Sequence, residues 1–350
     1  MANLAAVAIG FLLFTLLKVP LFAGFLAVPA IGAIEPLWIV RQLFWARLVR
    51  LWRRTSPLHF VSQAGPRAGG LMSGRIGDQL PDASKKPIKS LRCYIHPMRI
   101  IAVINRKGGT AKTTTVDNLA VCLAQKGFRI LIVDLDPQGG ATVQIGLDKR
   151  QLKSTIYDAL VHGKPLFEII CSTPIDNVDI VPANIELDGA KEELAGKIDR
   201  GSILKRLLDQ LPAANHQPYD FVIIDCEPGM NVLTLNGLLA CSEVIVPMQA
   251  EYSSLEGTAD LIQTTKDVEK YMDHHPQMRF LITMVVRTIH SREAIDMMHE
   301  QFKEQVFKTT IPRNISVAEA PSFGKPVVLY APSSLGARAY QQFTEEFLND

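Results

Sequence analysis

The sequence predicts an α/β fold, a mostly parallel twisted sheet with helices on both faces. Three observations carry this. Apolar, β-branched runs alternate with segments of helical periodicity along the chain from Met98 onward. Two of the runs end in acids, Asp134 with Asp136 and Asp225, which puts carboxylates at the C-terminal edge of a parallel sheet, where open α/β sheets bind ligands. The first run, Ile100 to Ile104, passes through a Gly-Gly turn into Lys112, three threonines and a helical pattern. Strand, glycine loop, lysine, hydroxyl and helix is the order that phosphate binding needs.

A nucleotide phosphate requires inward-pointing backbone N–H groups and a helix N-terminus with partial positive charge. Gly108 and Gly109 allow close backbone approach, Lys112 would reach the β/γ-phosphates, and the Thr113 hydroxyl would ligate Mg²⁺. The general pattern G-x-x-x-x-G-K-[ST] is not met, because Arg106 stands at its first glycine and Ala111 at its second. By pattern alone a phosphate site and a plain glycine turn are both open.

The elements follow in order. Val116 to Lys126 sets Leu119, Ala120 and Leu123 on one helical face, and Gly127 ends it. Phe128 to Asp136 is a strand run leading to Pro-Gln-Gly139. Val178 to Ala183 reads as a short strand, and Tyr219 to Asp225 as a strand of four apolar residues ending in Asp, a pattern that holds Mg²⁺ through water. Ser242 to Tyr252 is strand then turn, Leu255 to Tyr271 a helix, Phe280 to Val286 a buried strand and Ser334 to Leu348 a packing helix.

The string K-G-G-x-x-K-T-T, from Lys107 to Thr114, resembles the deviant Walker A loop of the ParA/MinD ATPases, a branch of the P-loop NTPases. VDLDPQG (Val133 to Gly139), VIVPMQAEY (Val244 to Tyr252), and Ile311-Pro-Arg-Asn314 with Glu319 to Pro326 are similar to further family segments. The resemblance covers about 253 of the 350 residues, 98–350. It implies ATP and Mg²⁺ as cofactors and a homodimer formed with ATP. Lys107, Gly108, Gly109, Thr110, Ala111, Lys112, Thr113 and Thr114 would hold the phosphates, Lys107 reaching the partner's nucleotide. Asp136 would position the attacking water, with Lys107 and Lys112 catalytic beside it. Asp134 and Asp225 would join Thr113 in serving the metal, and Pro312 and Asn314 would contact the base. Arg287 aligns with a DNA-binding arginine of the family, while a second such position is Ser316 here. The usual continuation after Asp225 has two prolines and a serine; here it is Cys226-Glu227-Pro228-Gly229, an extra carboxylate near the phosphates.

The formal net charge of +2 hides two unlike parts, since residues 1–97 carry 12 Lys+Arg against 3 Asp+Glu and residues 98–350 carry 25 against 32. An acidic body argues against a broad nucleic-acid surface, so DNA binding would depend on a local patch in which Arg292, Arg313 and Lys325 could join Arg287. The five cysteines, Cys93, Cys122, Cys171, Cys226 and Cys241, show no ligand spacing and read as reduced thiols. Residues 4–40 are nearly continuous apolar sequence, and Val19 to Val40 is long enough to span a bilayer. Arg41, Arg47, Arg50, Arg53 and Arg54 form a cytoplasmic flank, with Trp38, Trp45 and Trp52 at the boundary. Residues 1–54 thus read as a hydrophobic helical membrane anchor and 55–97 as a flexible linker. A start codon chosen too early and a soluble interaction arm are the alternatives.

Three functions follow as expectations. The first is a cytoplasmic ParA-type ATPase acting in chromosome or plasmid partition with a ParB-like stimulating partner and nonspecific DNA. The second is a MinD-like ATPase tethered to the inner membrane face through residues 4–54 and positioning a protein cargo. The third is a non-hydrolysing nucleotide-binding scaffold, suggested by Ala111 and Glu227.

Overall fold

A computed structural model describes residues 98–211 and 218–349. The expected anchor and linker, 1–54 and 55–97, lie outside the described residues. Among the described residues no helix is long and apolar enough to cross a membrane.

Seven strands form one sheet in the order β3-β4-β2-β5-β1-β6-β7. They are β1 (Arg99–Val103), β2 (Ile130–Leu135), β3 (Cys171–Ser172), β4 (Val178–Val181), β5 (Phe221–Cys226), β6 (Glu243–Gln249) and β7 (Gln277–Thr283). Every pairing is parallel except β3 with β4. The period-2 alternation of strand side chains divides the core in two. Ala102, Leu131, Val133, Val222 and Ile224 point to one face. Ile101, Val103, Ile130, Ile132 and Ile223 point to the other. Both faces are covered, which is why these strands read as unbroken apolar runs rather than as alternating ones.

The helices are α1 (Lys112–Gln125), α2 (Gly140–Gln144), α3 (Ile156–His162), α4 (Ala190–Glu193), α5 (Ile203–Asp209), α6 (Val232–Ala240), α7 (Tyr252–Met272), α8 (Ile289–Phe302), α9 (Ile315–Glu319), α10 (Val327–Tyr330) and α11 (Leu335–Asn349). On one face α1 packs with α11, where Leu119 and Leu123 share a cluster with Tyr340, Phe343 and Phe347. On the other face α3, α5, α6 and α7 supply Leu160, Leu204, Leu208, Leu233 and Leu261. α11 is therefore a packing helix, as its pattern predicts.

Expected boundaries move at several elements. The strand expected over Phe280 to Val286 ends at Thr283, because Met284 takes φ 54° and turns the chain. Val285 then pairs with Pro312 in an isolated bridge beyond the strand. The helix α7 begins at Tyr252 rather than Leu255. The described cysteines, Cys122, Cys171, Cys226 and Cys241, are free thiols.

Candidate functional site

The strand register builds the site. Asp134 on β2 stands directly opposite Asp225 on β5, and Asp225 is in turn opposite Val103, the last residue of β1. The loop from Ile104 to Ala111 thus leaves β1 beside two carboxylates and enters α1 at Lys112. The first-turn amides of α1 have no intrahelical carbonyl ahead of them, so they face the loop interior as donors.

Two of the loop carbonyls are held from outside the loop. Gln249 Nε2 donates to the Gly109 carbonyl at 2.8 Å and Thr283 Oγ1 to the Thr110 carbonyl at 3.2 Å. Gln249 and Thr283 are register neighbours at the ends of β6 and β7. Asn105 Nδ2 donates to the Pro247 carbonyl at 2.7 Å, and its Oδ1 accepts from Lys107 N at 2.9 Å. The Thr115 N–H and hydroxyl both donate to the Ala111 carbonyl, at 2.9 and 2.8 Å. A loop whose carbonyls are engaged outward presents its N–H groups inward, as an anion nest requires. Of these clips only Gln249 lay inside a segment with family resemblance, and its role had no signal in the sequence; Thr283 and Asn105 had none.

Ala111 takes φ 67° and ψ 32°, the left-handed region, as the cap residue of α1. A Cβ in that region is strained by about 1–2 kcal/mol. Ala111→Gly relieves that strain at some cost in chain entropy, and is expected to raise unfolding free energy by about 1 kcal/mol in denaturant melts. An unchanged or lower midpoint would show that the loop accommodates the methyl group freely.

Lys112 is 6% exposed, and its Nζ donates to the Lys107 carbonyl at 3.3 Å. Burial lowers its pKa, opposed by Asp225, Cys226, Asp136 and Glu227 around it. Lys107 instead lies at the rim, its Nζ 3.3 Å from Glu251 Oε2 and 3.1 Å from Ser253 Oγ. Thr110 is buried, whereas Gly108 and Gly109 are exposed and Thr113 and Thr114 half-buried. Thr113 packs against Gly140, where an added Cβ would lie 3.4 Å from its Oγ1.

The two strand-end acids differ. Asp134 is fully enclosed: Oδ2 accepts from the Thr142 N–H and hydroxyl at 2.9 and 2.8 Å, and Oδ1 from Asp136 N at 3.1 Å. Burial, against those hydrogen bonds, holds its carboxyl up at about 6. Its oxygens shape the turn into α2, where Gly139 is required, at φ 62° with an added Cβ only 2.8 Å from the Ala183 carbonyl. Asp225 is also fully buried, but among the described residues no hydrogen bond of normal geometry reaches either oxygen. Burial first, then the Asp134 carboxylate, push it well above the usual range, while Thr113 and Lys112 oppose. Asp136 is half-buried, with Oδ1 accepting from Gln138 N at 2.8 Å and the second oxygen available.

Orphaned carboxylate oxygens beside a threonine hydroxyl fit a hard cation that takes oxygen ligands. No group of three His, Cys, Asp or Glu among the described residues could cage a metal. That suits Mg²⁺, which is held by one or two protein oxygens with phosphates and water supplying the rest.

The other expected positions lie in the segments after β7. Pro312 pairs with Val285 beyond β7, and Asn314 stands just before α9 without a side-chain cap bond, its Oδ1 buried near Gly336 and without a partner among the described residues. No hydrogen bond among the described residues joins either to the loop. Arg287 is exposed in the turn before α8.

A family model for an AAA domain matches residues 98–278. The sporulation initiation inhibitor protein Soj of Bacillus subtilis (strain 168) is 43% identical over 250 residues, which cover 71% of this chain and 97% of that protein. The chain belongs to the ParA/Soj family of partition ATPases. The chromosome partitioning protein ParA of Caulobacter vibrioides (strain NA1000 / CB15N) is 35% identical over 256 residues, 73% of this chain and 95% of the relative. A solved structure of cobyrinic acid a,c-diamide synthase from Mycobacterium smegmatis, with a bound ATP analog and magnesium, superposes with a TM-score of 0.61 at 34% identity. It covers 72% of this chain and 95% of that one. The family's fold and the sheet described above agree.

Proposed function

We propose that this chain hydrolyses ATP with Mg²⁺ as a ParA-type ATPase and acts in chromosome or plasmid partition. One observation carries the reading: Asp134 and Asp225 stand in register on adjacent strands beside a loop with one buried and one rim lysine. Residues 98–350 are the ATPase domain in this reading. When bound, Mg²⁺ would neutralise part of the negative charge on the ATP phosphate oxygens and leave the γ-phosphorus more open to attack.

The residues of the chain do the rest. The amides from Gly108 to Thr114 and the Lys112 ammonium bind phosphate oxygens, and Thr113 and Asp225 hold the metal. Asp136 uses its available oxygen to orient the attacking water and take its proton, as the bond to the leaving ADP oxygen breaks. Asp134 fixes Asp136 through the shared turn. Lys107, at the rim, reaches the nucleotide of a second copy in an ATP-bound homodimer. Pro312 and Asn314 contact the base, and a ParB-like partner stimulates the reaction.

Phosphate release by the full chain tests the chemistry. Asp136→Ala is expected to lower the rate by at least about 100-fold with ATP still bound. Equal rates in the two proteins would overturn the enzyme reading and favour a non-hydrolysing scaffold. Arg287 is proposed to contact DNA phosphates in the dimer. Nonspecific duplex should be retarded with ATP at low salt, and Arg287→Ala should lose that shift. No ATP-dependent shift at low salt would remove DNA from the proposal.

A further inference from the structure

Glu227 is a carboxylate close to the phosphate loop. It lies two residues past Asp225 and is 7% exposed. The neighbouring Pro228 has its Cγ 3.9 Å from where a Cβ of Gly108 would be. Its charge also acts on Lys112. An unopposed carboxylate in that place would repel a triphosphate and bias the segment after β5 away from the loop.

The opposition comes from outside the loop. Lys191 Nζ, on α4, donates to Glu227 Oε2 at 2.8 Å and to Asp188 Oδ1 at 2.8 Å. Asn231, the cap residue of α6, donates its Nδ2 to Glu227 Oε1 at 2.7 Å while accepting from Leu233 N at 2.9 Å. Both oxygens of Glu227 are therefore engaged, by donors from two different elements. The Glu227 side chain is 9% exposed and that of Lys191 30%, so the pair is far less screened than a surface bridge. Asn231 is neutral, which leaves Lys191 as the cation bonded to this carboxylate.

We propose that Lys191 is a positioning residue for ATP binding. Acting through Glu227, it neutralises the carboxylate beside the phosphate loop and ties the segment after β5 to α4. The inference rests on the ATPase reading of the loop. It assigns a role to a lysine about 80 residues from that loop in sequence, and it makes Glu227 tolerable rather than useful to the site.

A double-mutant cycle on the full chain tests it, with a fluorescent ATP analogue titrated at low and high salt and melting curves taken without ligand. Lys191→Met is expected to weaken binding by about tenfold or more at low salt, with a smaller loss at high salt. Glu227→Gln alone should bind like the unsubstituted chain. The double variant Lys191→Met/Glu227→Gln should return to within about twofold of it, since no unpaired buried charge remains. Lys191→Arg should retain binding. Lys191→Gln, which keeps a donor but no charge, guards against misfolding: weaker binding at an unchanged melting temperature supports the role. Unchanged binding in Lys191→Met or Lys191→Gln, or a double variant as weak as the single one, overturns it. Absence of ATP binding by the unsubstituted chain would instead overturn the ATPase reading, and this inference with it.

Discussion

Lys112→Ala is expected to lose at least about 100-fold in ATP affinity, because a unit charge within about 4 Å of a phosphate in a partly buried site is worth several kcal/mol. The surroundings enlarge the effect. Lys112 is enclosed among Asp225, Asp136 and Glu227, and these carboxylates oppose the burial that lowers its pKa. Without the ammonium, an incoming triphosphate would meet those acids directly. Its ground-state hydrogen bond, to the Lys107 carbonyl, also anchors the start of the glycine turn. The contrast is Lys107→Ala. That side chain sits at the rim, tied to Glu251 and Ser253, and leaves the loop's inner surface intact. It is expected to bind ATP within a few-fold of the unsubstituted chain and to lose phosphate release, since its proposed target is the nucleotide of a second copy. Titration with a fluorescent ATP analogue, beside phosphate release, separates the two lysines. Equal affinity loss in both would mean that Lys107 serves the nucleotide of its own chain.

The fold was legible because the central strands are buried on both faces, so their apolar runs are continuous and their bounds are marked by acids or turns. The run ending at Asp225 and the run ending at Asp134 could each be read singly, but their register could not. That the two acids face one another is decided by β5 inserting between β1 and β2, a pairing of residues far apart in sequence. The phosphate loop was legible as a string of residue types. The reason its amides face inward was not, because Gln249 and Thr283 act from the ends of two other strands and look like ordinary strand-end polar residues. Glu227 was visible as a departure, yet its partners Lys191 and Asn231 come from separate elements with no marking of their own. Ala111 is the opposite case, since a single missing glycine raised the question of a positive φ and the backbone answers it.

Asp117 escaped the sequence altogether, and its replacement is the second large effect expected. In a helix of mixed pattern an Asp reads as solvent-facing, but α1 lies between the sheet and α11, so residues all round it are buried. Asp117 is fully enclosed, and neither carboxylate oxygen has a hydrogen-bond partner among the described residues. Burial, then the charges of Asp225 and Asp134, raise its pKa well above the usual carboxylate range. A group whose folded-state pKa is raised binds its proton more tightly folded than unfolded. Folding therefore loses stability as pH rises above the ordinary carboxylate value of 3.8, and continues to lose it until the folded-state pKa is passed. Asp117→Val, similar in volume and without polar atoms, removes both that titration and the unsatisfied oxygens. It is expected to stabilise the chain by about 2 kcal/mol near neutral pH. The gain should shrink as pH falls below 3.8, where the acid becomes neutral in both states and only its missing hydrogen bonds remain. Denaturant melts of both proteins from about pH 3 to about pH 8 measure this directly. A valine variant that is less stable at neutral pH, or a difference that does not grow with pH, would show that the Asp117 carboxylate has a stabilising partner when the chain is folded.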